Sequence, residues 1–161
     1  MRRSISYPLA LVGFFAAVGM VSLVVGAPAA LAQQKSRIWP LDMVKNVMTT
    51  TKESGWVAFS NQRSTQNIYF SHLQSYHCSL KEIRYSYNSK TLDKIFPLAE
   101  CNPQIPMNVP GEPKWIVNLE KPGTVKTIAV QVVFSDDTTS EIAVYEPCKD
   151  VGDQVCTWLV E

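Results

Sequence analysis

Between Leu41 and Met48 apolar residues recur at spacings of three and four, and between Ile128 and Phe134 they recur at spacings of two. The first period suits a helix and the second a strand, so the chain predicts one early helix followed by strands. Leu41, Val44, Val47 and Met48 share one stripe of an amphipathic helix running to about Lys52. Pro40 suits its start and Gly55 its stop.

Short aromatic and β-branched runs follow from Gly55 to Ser60 and from Gln66 to Ser71, with the polar link Asn61–Thr65 predicted as a hairpin loop. Over residues 80–87, Ile83, Tyr85 and Tyr87 alternate with Glu82, Arg84 and Ser86, which predicts a strand with one buried face. Residues 102–113 contain Pro103, Pro106, Pro110 and Pro113. Because proline supplies no ladder donor, an extended surface loop is expected there.

Strand character resumes from Lys114 to Glu120, and Pro122-Gly123 marks a turn. From Val125 to Phe134 one face carries Ile128, Val130, Val132 and Phe134. The other carries Thr127, Ala129, Gln131 and Val133, so partial cover is expected there too. The turn at residues 135–139 leads to Ser140–Tyr145, alternating through Ile142 and Val144, which predicts a terminal hairpin. The fold class is therefore mainly β (α+β): an antiparallel sheet or sandwich of about six strands with one N-terminal amphipathic helix. No βαβ pattern is present, so a nucleotide-binding crevice of that type is not expected.

The stretch before the helix changes the picture. Met1-Arg2-Arg3 precedes an apolar run from Leu9 to Val25, and Ala30-Leu31-Ala32 precedes Gln33. A cationic start, an apolar middle and small residues at a cleavage point predict a cleavable export signal over residues 1–32. The competing expectation is a retained anchor, since about 17 apolar residues come close to spanning a bilayer. Gly13, Gly19 and Ser22 weaken that run. Removing 32 of 161 residues leaves 129, enough for one domain over 33–161. That domain carries 13 Lys/Arg and 14 Asp/Glu. Such a balance gives no reason to expect nucleic acid, or an anionic membrane after signal cleavage, as a partner.

Cys78, Cys101, Cys148 and Cys156 all follow the signal. An even count behind an export signal predicts two disulfides. Of three possible pairings, Cys78–Cys101 and Cys148–Cys156 close the most local loops. No Cys-x-x-Cys pair supports a zinc or redox site. With no Asn-x-Ser/Thr acceptor after residue 32, a periplasmic or secreted location is expected.

The chemistry is sparse. His72 and His77 lie within a tyrosine-rich segment from Tyr69 to Tyr87, but their spacing does not match a metal site or point both rings one way on a strand. No Gly-x-Ser-x-Gly elbow surrounds Ser71 or Ser75. Asp136-Asp137 suits a side-chain-capped turn better than a calcium loop. Tyr69, His72, Tyr76, His77 and Arg84 are the candidate binding residues, because exposed aromatics beside arginine stack on sugars or anchor proteins. The expected function is an exported, non-catalytic binding or interaction domain of the cell envelope, with a protein or glycan partner and no cofactor or metal. A small secreted hydrolase with a dispersed site and an envelope assembly subunit are the alternatives.

Overall fold

The computed structural model describes residues 36–62, 64–109, 111, 115–119, 121–149 and 153–161. The export signal expected over residues 1–32 lies outside them. The predicted helix is α1 (Leu41–Thr51); it is preceded by Ser36–Pro40 and so is not strictly N-terminal. Val44 and Met48 are buried on its inner face, with Leu41 and Val47 packed at the margin. Trp56 Nε1 donates to the Met48 carbonyl at 2.9 Å, tucking the following chain under the helix end. Between them Gly55 has φ +100°, and a Cβ there would collide with the Thr157 side chain. Only glycine tolerates both conditions.

The chain is mainly β, as expected, and its strands form two antiparallel sheets. Its strands are β1 (Ala58–Gln62), β2 (Thr65–Tyr69), β3 (Leu80–Tyr87), β4 (Lys94–Phe96), β5 (Ile116–Leu119), β6 (Ile128–Phe134), β7 (Ala143–Glu146) and β8 (Trp158–Leu159). One sheet has the order β1-β2-β5 and the other β4-β3-β6-β7-β8. Gln62 pairs with Thr65, so the first hairpin closes more tightly than the predicted link. Strands β4 and β8 were not predicted. Neither was α2 (Ser71–Gln74), nor the 3₁₀ turn His77–Ser79 that follows it.

Both sheets and α1 close on one core. Phe59 and Ile68 come from the smaller sheet, Ile83 and Val130 from the larger, and Met48 from the helix. Phe70 stacks on Phe96 at 3.9 Å between centroids, with Tyr85 edge-on at 5.3 Å. The core row of β6 is Ile128, Val130, Val132 and Phe134, as its alternation predicts. Ala129 and Val133 on the opposite face are buried too.

Two faces differ from the predicted pattern. Ser86, expected outward, is fully buried, because the chain after β3 folds back and Ser86 Oγ donates to the Ser89 carbonyl at 2.7 Å. In the last hairpin Ser140 N donates to the Val132 carbonyl, whereas Val130 lies opposite Ala143. That places one extra residue on the returning chain, a bulge that reverses its faces. Ala143 and Tyr145 therefore enter the core in place of Ile142 and Val144. The Tyr145 hydroxyl donates to the carbonyl of Lys52 at 2.8 Å, occupying an acceptor at the end of α1.

The C-terminal segment joins the two sheets. Phe59 and Cys156 exchange backbone hydrogen bonds at 3.1 and 2.9 Å, and Leu159 pairs with Tyr145. Both favoured disulfides, Cys78–Cys101 and Cys148–Cys156, are present.

Candidate functional site

The residues before α1 lie alongside the proline-rich loop that follows Cys101. Arg37 N donates to the Pro103 carbonyl at 2.9 Å. The loop turns on Asn102, whose Oδ1 accepts from Gln104 N at 3.0 Å and whose carbonyl accepts from Ile105 N at 3.1 Å. Upstream it is fixed by a fully buried glutamine. Gln74 Nε2 donates to the Pro97 carbonyl at 2.6 Å, and Gln74 Oε1 accepts from Ala99 N at 3.2 Å. The disulfide Cys78–Cys101 adds a covalent tie two residues further on.

This scaffold presents an apolar ledge. Trp39, Ile105 and Met107 are 39%, 48% and 46% exposed. With Arg37 and Pro106 they line a shallow depression of about 360 Å³. At its inner margin Trp39 meets Tyr76 edge-on at 6.1 Å, and Tyr76 meets His72 at 5.6 Å. Tyr76 itself packs against the core. Met43, also about half exposed, lies one helical turn from Val47 on the same flank of α1. A constellation of large apolar side chains held on fixed backbone is preorganised for contact with another surface.

Of the candidate binding residues, the structure brings His72 and Tyr76 together at this margin. His72 precedes Tyr76 by four positions, and the helical turn of α2 brings the two rings to one side. His72 Nε2 lies 3.1 Å from Thr51 Oγ1. The Thr51 hydroxyl proton goes to the Val47 carbonyl at 2.8 Å, so His72 donates and Thr51 accepts. Burial holds the His72 pKa below 6.5, favouring the neutral ring. Thr51 is thus not an activated nucleophile in this arrangement.

His77 is buried. Its Nδ1 donates to the Gln74 carbonyl at 2.7 Å, and its Nε2 lies 3.7 Å from Cys78 Sγ, which is already bridged. Its ring holds α2 against the disulfide. Arg84 lies away on β3, where its Nε donates to Glu82 Oε2 at 2.8 Å. Tyr69 is half-buried on β2, in the other sheet. The expected proximity of Tyr69 to the Arg84 face is not found: among the described residues no hydrogen bond, ion pair or ring contact joins them.

A larger groove of about 490 Å³ runs between α1 and the turn after β6. Its floor residues Met48, Trp56 and Phe134 are almost wholly covered. Its two lysines already bridge the groove, Lys45 to Asp136 at 2.6 Å and Lys52 to Glu141 at 3.2 Å. A ligand entering the groove would have to break those pairs. Asp136 instead caps its turn, accepting from Thr138 N at 3.2 Å and Thr138 Oγ1 at 2.6 Å. Among the described residues no cluster of three His, Cys, Asp or Glu side chains is placed to hold a metal ion.

Trp39, Arg37, Ile105 and Met107 escaped sequence reasoning because they belong to no periodic element. The one available signal was a tryptophan standing outside any predicted helix or strand. No protein-family model, characterised protein or solved structure matches this chain.

Proposed function

We propose that the protein is an exported, non-catalytic binding module of the cell envelope, acting in the periplasm or outside the cell, with the Trp39–Ile105–Met107 ledge as its contact surface. The observation that carries this reading is the ledge itself. Three large apolar side chains stand half exposed on backbone fixed by a disulfide, a buried glutamine clamp and the Arg37–Pro103 hydrogen bond. Aromatic, methionine and arginine side chains are the types enriched where proteins meet other surfaces. Export is supported by the residue pattern of positions 1–32 and by two disulfides, which persist in oxidising compartments. Among the described residues no helix is long and apolar enough to cross a membrane.

The proposal is tested on protein recovered from the cell that makes it. Mass spectrometry should find Gln33 at the N-terminus and no free thiol. A chain beginning at Met1 with four free thiols in the cytosolic fraction would reject export and the module with it.

A further inference from the structure

We infer that the ledge rests on a membrane surface, the one across which the chain is exported; this relies on the ledge being the contact surface proposed above. Two observations converge on that occupant. The first is chemical. Trp39 sits at the margin of the patch, and Ile105 and Met107 project half exposed beside it. Indole rings favour the headgroup boundary, while aliphatic and thioether side chains enter the acyl edge. The depression is also shallow, without the enclosed pocket in which a protein partner's anchoring side chain becomes fully desolvated.

The second observation is charge. Arg37 is the one charged side chain lining the depression, and no carboxylate accompanies it there. Among the described residues no ion pair engages Arg37. A guanidinium at the rim of an apolar patch is placed to pair with lipid phosphate, even though the domain's overall charge is near zero.

The test uses the exported chain that begins at Gln33, with Trp158→Phe introduced. Trp56 and Trp115 are buried, so Trp39 is then the exposed indole, and residues 1–38 contain no tryptophan. Vesicles of phosphatidylcholine, with and without phosphatidylglycerol, are prepared with plain or brominated acyl chains. Brominated lipid should remove most of the Trp39 emission. Met107→Glu should restore it by weakening partition about tenfold or more, whereas Ile95→Glu, at an exposed site on β4, should leave quenching intact. Arg37→Gln should abolish the added effect of phosphatidylglycerol. Equal Trp39 emission in plain and brominated vesicles would overturn the membrane assignment. If a soluble envelope protein then crosslinks to the ledge in a Trp39-dependent manner, the module stands with a protein partner instead.

Discussion

The inner row of β6 and the ledge are both apolar, yet they are held by different means. Ile128, Val130, Val132 and Phe134 are buried on a strand paired with β3 on one side and β7 on the other. Removing their surface from water stabilises the fold directly. Trp39, Ile105 and Met107 stand half exposed on irregular backbone, and what fixes them is a handful of polar and covalent ties. Apolar surface that the fold leaves uncovered stays available for contact elsewhere. One region should therefore govern stability and the other association, and substitutions can separate them.

The largest separation is expected from Phe70→Ala against Met107→Ala. Phe70 is fully buried and stacked on Phe96, so its loss should cost about 3–5 kcal/mol in denaturant unfolding. Met107→Ala should stay within about 0.5 kcal/mol while weakening surface association. Comparable stability losses for the two would erase the distinction. Next comes replacement of both Cys78 and Cys101 by alanine. Loop entropy across a sequence separation of 23 sets the cost at roughly 3 kcal/mol. Amide exchange should rise first in residues 103–108, and a uniform rise would show that the bridge does not specifically hold the ledge.

Gln74→Leu removes the partners of the Pro97 carbonyl and the Ala99 amide. A cost of about 1–3 kcal/mol is expected, together with weaker association through the ledge. A smaller effect, resolved by pH, belongs to His72. Its folded pKa is depressed by burial, so its neutral form contributes stability that is present above pH 6.5 and lost as pH falls through the folded pKa. Thermal melts of His72→Gln should be flatter than wild type across that window, and an unchanged slope would remove His72 from the account. Smallest of all, the Lys45 ammonium and the Thr138 hydroxyl lower the Asp136 pKa from 3.8 to about 2. Its contribution should be present above 3.8 and fade toward 2, so Asp136→Asn should shave only the acid limb of the melt profile.

Much of the fold was legible in the sequence where local period decides structure. Helix α1, the faces of β6 and the Asp136 turn all follow from residues close together in the chain. Both disulfides also joined the nearest cysteines. What escaped depends on distant partners. Strands β4 and β8 are short segments ordered by the sheet edges they meet, and the burial of Ser86 depends on the chain folding back over it. The bulge before Ala143 reversed a face that alternation had assigned, since one inserted residue exchanges in for out. At the candidate site, His72 and Tyr76 were visible as residue types, but their closeness required the unforeseen turn of α2. The joining of Arg37 and Trp39 to Ile105 and Met107 is a tertiary contact that no local pattern encodes.

The central claim is that a folded, exported domain is held at the envelope through its ledge. Fractionation of cells producing wild type or a Trp39→Ala, Met107→Ala double variant tests it most directly, with thermal melts recorded for both proteins. Wild type should sediment with the envelope and the variant should be released into the soluble exported fraction, with melting temperatures nearly unchanged. Equal retention of two equally stable proteins would contradict it.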